Sequence, residues 1–373
     1  MAHAYTPGLK VTTGTTIRKE RRLPLNGEIL VQLGEHVKAE TVVAKAELPG
    51  NVQLVNVANH LSITPQDIHS YMLKQQGEHI AKDEIIASTK GIFGLFKSQS
   101  RAPTDGIIES ISEITGQIAI REKPIPVEIN AYVDGKVVEI LSAEGVVVET
   151  YATFIQGIFG IGGEVIGELT IAVQGPDDIL TANLIDQKFS DKIIVGGSKV
   201  TSDALKKAVS SGLKGIIVGG IDDSDVRDFL GYELGVAITG SERLGITLII
   251  TEGFGRIRMA NQTFELLKQR AGLKTSINGA TQIRAGVVRP EIVIPLEKPT
   301  SVEAIDEKIS YMDIGTSVRI IREPYFGKLG WVTDLPVELQ SLETEAKVRV
   351  LEVELEDGQK VILPRANVEI IEV

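Results

Sequence analysis

Apolar and polar residues alternate in short runs through the first 172 positions. The runs include GEILVQL, TVVAKAEL, GIIESIS and KVVEIL, and a period of two is typical of half-buried strands. Turn dipeptides flank several runs, as at Asn26-Gly27 and Asp134-Gly135. One helix is predicted over residues 64–74, because Thr64 can cap it and Pro65 suits its first position. This part of the chain is therefore predicted to be β-rich.

One phrase occurs twice in this region. GEHVKAETVVAKA begins at Gly34 and GEHIAKDEIIAST begins at Gly77. Each copy gives a turn, a β-branched residue, a second turn and an apolar strand, so the repeat predicts one supersecondary unit used twice. His36 and His79 occupy the same place in the two copies, which predicts that both lie in exposed turns.

The repeat, followed by APTDGIIE at residues 102–109, resembles the biotinyl/lipoyl-like barrel-sandwich-hybrid folds over about residues 23–140. Carrier members of that group present a lysine on a tight hairpin within a Met-Lys-Met or Asp-Lys-Ala setting. Lys90 and Lys97 lie in the corresponding stretch without that setting, so covalent biotin or lipoate is not expected. The apolar residues between them either form a loop tip for a partner or fold back on the core (Ile92, Phe93, Leu95 and Phe96).

The hydrophobic period changes after residue 172. Three runs are almost entirely apolar, at residues 192–197, 215–220 and 246–250. Helical patterns with capping residues and apolar stripes alternate with them, at residues 201–211, 222–230 and 261–271. Fully apolar strands that alternate with helices predict a parallel sheet covered on both faces, which is a three-layer α/β domain.

Ligands of parallel α/β sheets bind beyond the carboxyl ends of the strands. Glycines and polar residues follow all three predicted strands, and between Arg243 and Arg289 there are eight Lys/Arg and two Asp/Glu. A small anionic ligand is one interpretation; economical strand-to-helix turns with solvated charges are the other. The candidate ligand-binding residues are Gly197, Ser198, Lys199, Gly220, Asp222, Glu252, Gly253, Arg256 and Arg258.

The C-terminal segment, residues 310–373, returns to short strands. Its string VRIIREPYFGKLGWV, from Val318 to Val332, resembles the KOW motif, a small SH3-like barrel unit of transcription elongation factors and several ribosomal proteins. The resemblance implies an SH3-like barrel and a contact surface near its loop. It nominates Tyr325, Phe326, Lys328 and Trp331 as partner-binding residues.

Charge weakens the nucleic-acid interpretation of that surface. The whole chain has a net charge of −11, and residues 301–373 carry 8 Lys/Arg against 15 Asp/Glu. Phosphate binding needs a basic face. A protein partner therefore fits the charge better than nucleic acid, and packing within the chain is the third interpretation.

The sequence lacks the residues that several kinds of catalytic, disulfide and metal site require. The chain has no cysteine, which excludes disulfides, thiolate catalysis and Cys-ligated metals. The five histidines form no H-E-x-x-H motif, and neither G-x-S-x-G nor a P-loop occurs. Asp222, Asp223 and Asp225 lack the glycine and distal Glu of a calcium loop. No catalytic or metal site is predicted.

The expected organisation is an N-terminal arm (1–22), a barrel-sandwich-hybrid region (23–172), an α/β domain (173–297), a linker (298–309) and a KOW/SH3-like barrel (310–373). The N-terminus has no secretory signal pattern and no apolar run is long enough to span a membrane, so a cytoplasmic location is expected. The predicted function is non-enzymatic: a binding or scaffold protein that the KOW resemblance associates with transcription or translation. A small-ligand-binding or enzymatic α/β domain is the alternative.

Overall fold

A computed structural model describes most of the chain. The described residues are 9–89, 97–231, 244–281, 288–297, 312–320, 324–325, 328–336, 339–341, 347–355 and 357–372. The predicted linker and the hairpin tip with Lys90, Ile92, Phe93, Leu95 and Phe96 lie outside these ranges. The described part is mostly β-structure in mixed sheets, the largest of which curls into a half-barrel.

The N-terminal region consists of short strands around two small helices. In chain order the elements are β1 (Leu9–Arg22), β2 (Glu28–Ile29), β3 (His36–Val37), β4 (Val42–Leu48), β5 (Val52–Asn56), α1 (Val57–Leu61), α2 (Ile68–Tyr71), β6 (His79–Ile80), β7 (Ile85–Ser88), β8 (Gln99–Arg101), β9 (Gly106–Ile111), β10 (Gln117–Arg121) and β11 (Ile125–Asn130). Nine of these strands form separate sheets in the orders β5-β10-β9-β6, β11-β4-β2 and β7-β8, whereas β1 and β3 belong to the large sheet described below.

The single helix predicted over residues 64–74 is wrong in extent. The structure has a 3-10 turn at Pro65–Asp67, followed by α2, which ends at Tyr71. A second short helix, α1, precedes it and is capped by the Asn56 side chain, which accepts a hydrogen bond from the Asn59 N–H. Helices this short gain little from propensity and depend on packing, and Val57 and Leu61 are buried in the regional core.

The repeat has the structural equivalence that its sequence predicts. Gly34 and Gly77 both adopt positive φ, at 85° and 89°, which favours glycine. Val37 and Ile80 follow them into the core, each 5% exposed. His36 and His79 are both exposed, as predicted, but each is the first residue of a short strand, β3 or β6, and not part of a turn.

The middle of the chain contributes most strands of the large sheet. The elements of this part of the chain are β12 (Gly135–Leu141), β13 (Gly145–Gln156), β14 (Phe159–Ile161), β15 (Glu164–Ile171), β16 (Ile179–Leu180), β17 (Lys192–Val195), β18 (Lys199–Val200), α3 (Ser202–Ser210), β19 (Gly215–Ile221), α4 (Asp223–Leu230), β20 (Thr247–Phe254), α5 (Asn261–Gln269), β21 (Lys274–Asn278) and β22 (Glu291–Pro295). Strands β15, β17, β19 and β20 pair in parallel, in that order, which confirms the predicted parallel arrangement of the apolar strands.

Antiparallel strands extend this parallel core. β14 pairs with β20, β21 pairs with β15, and β22 joins β21 to β13. β13 also pairs with β1 and β12. The sheet therefore begins well before residue 173, and β1 pairs with β13 along most of its length, although residues 9–22 belong to the predicted N-terminal arm.

Helices cover both faces of the parallel strands. Ile194 and Ile216 face α3 and α4 in one core cluster, whereas Ile193 and Ile217 face α5 in another. Adjacent residues of a strand point to opposite faces, so a strand that is apolar throughout fits between two helical layers. Burial of each such isoleucine contributes about 1.5–3 kcal/mol.

The C-terminal strands form a compact unit that packs on the large sheet. They are β23 (Ser317–Ile320), β24 (Leu329–Asp334), β25 (Leu339–Ser341), β26 (Lys347–Leu355), β27 (Lys360–Pro364) and β28 (Val368–Glu372). Every pairing among them is antiparallel. β28 also pairs in parallel with the start of β1, where Leu9 lies opposite Ile371, so the two ends of the described chain are joined.

Candidate functional site

The predicted crevice at the ends of β17, β19 and β20 is covered by the chain itself. A Cβ on Gly220 would lie 2.2 Å from the Gly255 carbonyl oxygen, and one on Gly219 would lie 2.3 Å from that of Ile257. The segment after β20 thus crosses the strand ends in backbone contact, held by a hydrogen bond of 2.8 Å from the Gly255 N–H to the Ile221 carbonyl. These glycines allow close packing of two backbone segments.

A second segment covers the end of β17. The Ser198 N–H donates to the Asp178 carbonyl over 2.7 Å, and its hydroxyl donates to the Asp177 carbonyl over 2.7 Å. A Cβ on Gly197 would lie 2.4 Å from the Asp178 carbonyl oxygen. The polar groups of Ser198 are therefore used in holding the loop before β16.

Lys199 lies between two carboxylates and links the ends of two strands. Its ammonium group forms ion pairs with Asp222 and Asp225, the latter at 2.9 Å. The hydrogen bond to Asp222, aided by Asp225, raises the pKa of Lys199 above its ordinary value despite an opposing contribution from burial. Lys199 and Asp222, predicted separately from sequence, are thus brought together as a structural pair.

The two candidate arginines are exposed and extend over the same loop. Arg258 donates to the Asp177 carboxylate over 2.9 Å and to the Asn261 side-chain carbonyl over 2.6 Å. Arg256 donates to the Asp177 backbone carbonyl over 3.4 Å. Gly253 lies within β20, opposite Gly220 of β19. Most candidate residues of the crevice therefore lie near one another, and their polar side chains bond to other residues of the same chain.

Glu252 has a different neighbour, which the sequence does not indicate. Arg319 of β23 donates to its carboxylate over 3.1 Å, and to the Thr251 carbonyl over 2.9 Å. The other carboxylate oxygen of Glu252 accepts the Ala260 N–H at 3.0 Å. The two side chains are only 2% and 6% exposed. This buried ion pair joins the C-terminal unit to the end of the parallel strands.

We call the contact between the C-terminal unit and the end of the parallel strands, where Glu252 meets Arg319, the junction. Two cavities adjoin it. One, of about 240 Å³, has Glu252 and Arg319 in its wall together with Trp331 and the first turn of α5. The other, of about 260 Å³, lies between Arg258 and Lys328. The junction thus brings together two groups of residues that the sequence predicts as separate sites.

The predicted partner-binding residues occupy different environments. Lys328 pairs with Asp357 at 3.1 Å, and its ammonium group lies 5.8 Å from the centre of the Tyr325 ring. Tyr325 is partly buried against the core of the C-terminal unit. Trp331 is 48% exposed. Phe326 lies outside the described residues.

Trp331 belongs to an outer sheet face that we call the β24–β27 face. It consists of Trp331, Glu352, Glu354, Lys360 and Ile362, which lie on β24, β26 and β27 with their backbones paired. Ile362 is 56% exposed, whereas the alternate residues of β26 are buried in the core. Of these residues only Trp331 is predicted as a partner-binding residue from the sequence, although the alternation of apolar and charged residues in VLEVELED indicates this face.

Comparison with known proteins adds no assignment: no protein-family model matches the chain, and no curated protein matches it significantly. Within the described ranges, no cluster of three or more His, Asp or Glu side chains is placed to hold a metal ion. The helices in those ranges include none with the length and apolar character needed to cross a bilayer.

Proposed function

We propose that this chain is a non-enzymatic, multidomain binding protein whose β24–β27 face contacts a protein partner. In this proposal the repeat region is a barrel-sandwich hybrid without a carrier lysine, and residues 310–373 form a KOW-type SH3-like barrel. The α/β layers serve as the rigid support. On the strength of the KOW resemblance, the partner is proposed to be a component of transcription or translation.

One contrast carries the proposal. At the strand ends of the α/β layers, Lys199, Ser198 and Arg258 already have partners in this chain, and glycines close the crevice. On the β24–β27 face, by contrast, Trp331 and Ile362 are large apolar side chains about half exposed to solvent. Exposed aromatic side chains next to charged ones are typical anchors of protein interfaces.

Charge favours a protein partner over nucleic acid. The face carries Glu352 and Glu354 with one cation, Lys360, and the segment from residue 301 onward has 15 Asp/Glu against 8 Lys/Arg. Carboxylates repel phosphates, and nucleic-acid binding depends on neutralising them. The partner surface is therefore expected to be basic and partly apolar.

Quantitative capture from nuclease-treated lysate of the source cell tests this function. The wild-type chain should enrich a defined protein, and the Trp331→Ala/Ile362→Ser variant should lose it by about tenfold, because interface anchors dominate binding. Ile114→Ser is the matched control, since Ile114 is 89% exposed and lies in the N-terminal region. Lys199→Ala should also retain the partner. The proposal is contradicted if all variants that keep the wild-type melting temperature capture the partner equally. It is also contradicted if the wild type captures the partner from untreated lysate but not from nuclease-treated lysate.

A second candidate is favoured by the junction cavity of about 260 Å³ between Arg258 and Lys328. Two cations at the rim of one cavity suit a small anionic ligand such as a phosphorylated metabolite, although each already pairs with an acid. A ligand that binds only the native state raises its melting temperature. A panel of nucleotides and phosphorylated metabolites that produces no thermal shift would exclude this candidate.

A further inference from the structure

The β24–β27 face contains an aromatic ring and a carboxylate directly opposite each other. Trp331 of β24 is paired with Glu354 of β26. Directly opposite residues on antiparallel strands point to the same face, with Cβ atoms about 4.5–5.5 Å apart. The ring and the carboxylate are therefore neighbours on one surface.

The carboxylates of this face differ in their contacts. Glu352 accepts a hydrogen bond of 2.7 Å from the Thr333 hydroxyl and one of 3.0 Å from the Lys360 ammonium group. These bonds lower the pKa of Glu352, with the Thr333 hydroxyl as the largest cause. Glu354 lies next to Glu352 on the same strand face and directly opposite Lys360 of β27, with which its charge interacts. Within the described ranges its carboxylate accepts no hydrogen bond and lies within ion-pair distance of no cation.

We propose that Trp331 and Glu354 together bind a cationic side chain of the protein partner, and that arginine is preferred over lysine. This inference rests on the proposed function and adds the chemistry of recognition. A guanidinium group can stack on the indole ring while it donates hydrogen bonds to the adjacent carboxylate. Ile362, opposite Glu352 on β27, supplies an apolar contact for the residue next to that arginine.

The occupant follows from charge complementarity. Trp331 gives the negative face of its π-system and Glu354 gives a full negative charge, so the pair selects a cation. The nearest cation of this chain on the face, Lys360, lies opposite Glu354 on β27, and its ammonium group forms an ion pair with Glu352 at 3.0 Å. A segment with an arginine beside a β-branched or other apolar residue fits both the pair and Ile362.

Tryptophan fluorescence provides a direct readout, because Trp331 is the only tryptophan of the chain. The full chain is titrated with the peptide acetyl-Ile-Arg-Val-Arg-amide. The expected result is a saturable change in emission that weakens as salt is raised. The same peptide with both arginines replaced by lysine should bind more weakly, and with both replaced by glutamine should cause no saturable change.

Two variants make the test specific. Glu354→Gln keeps the shape of the side chain and should weaken binding of the arginine peptide by about three- to fivefold; Glu354→Lys should abolish it. Glu47→Gln, at another exposed strand carboxylate, controls for the general attraction of a basic peptide to an acidic protein and should leave the affinity unchanged.

Two results would overturn the inference: equal weakening by Glu354→Gln and Glu47→Gln, or equal responses to the arginine and glutamine peptides. A saturable response to single-stranded oligonucleotides but not to the arginine peptide would assign the face to nucleic acid instead. If cellular capture depends on Trp331 and Ile362 while Glu354→Gln has no effect, the proposed function stands and this inference fails. If capture is also independent of them, both fail.

Discussion

At the scale of single residues, the buried Arg319–Glu252 pair is the most consequential contact of the junction. Removing an ion pair from water costs several kcal/mol for each ion, which good geometry and additional hydrogen bonds can offset. Here the guanidinium also reaches the Thr251 carbonyl, and the carboxylate also accepts the Ala260 N–H. The pair therefore specifies how the C-terminal unit packs on the sheet. Substitution of either residue alone leaves the charge of the other buried and unpaired.

Arg319→Met should destabilise the protein by about 3–5 kcal/mol, since Glu252 then remains buried without its partner. The double variant Arg319→Met/Glu252→Gln should recover part of this loss. Differential scanning calorimetry measures both changes. Lys45→Gln is the control: it breaks the exposed pair with Glu28 and should cost at most about 1 kcal/mol. A change for Arg319→Met as small as for the control would contradict the structural role of the pair.

Asp134 gives a prediction for pH. Burial acts to raise the pKa of its carboxyl group, but hydrogen bonds from the Ala39 N–H and from Lys274 outweigh burial, so the pKa is lowered on folding. Asp134 therefore stabilises the native state at every pH above its unfolded pKa, and this contribution disappears as the pH falls through its folded pKa. The melting temperature of Asp134→Asn should lie below that of the wild type at pH 7 and approach it near pH 3. An equal difference at both pH values would contradict this.

At the scale of elements, the glycines at the carboxyl ends of the parallel strands allow close packing of two backbone segments. Gly220→Ala should destabilise the protein by about 1–3 kcal/mol, as overpacking does, because its Cβ would lie 2.2 Å from the Gly255 carbonyl oxygen. Gly175→Ala is the matched control in the neighbouring loop, where a Cβ meets no atom within 4 Å. Thermal unfolding of both variants provides the comparison. Equal stability would show that the crevice is open enough to relax.

Local patterns predict the α/β elements well and the small helices poorly. Residues 201–211 and 222–230 are predicted as helices, and α3 and α4 span Ser202–Ser210 and Asp223–Leu230. Thr201 caps α3 as expected, accepting the Ala204 N–H. By contrast, no helix is predicted where α1 lies, since a few residues cannot show a helical period. Its helical state depends on burial against distant strands.

At the scale of the whole molecule, pairing between distant parts of the chain determines features that local sequence patterns cannot predict. β1 pairs with β13 across more than a hundred residues, as Lys19 does with Val148, and no local signal marks residues 9–22 as a strand of the large sheet. The junction is hidden for the same reason, because Arg319 and Glu252 come from different predicted domains. The residues of the two predicted sites are visible in sequence, but their proximity depends on how the C-terminal unit docks.

The central claim is that the β24–β27 face, and not the crevice at the strand ends, contacts the partner. Hydrogen–deuterium exchange of the full chain, alone and with its captured partner, tests this most directly. Residues 329–334 and 350–362 should exchange more slowly in the complex, with residues 175–178 and 255–259 unchanged. Protection confined to residues 175–178 and 255–259 would contradict it and assign recognition to the α/β crevice.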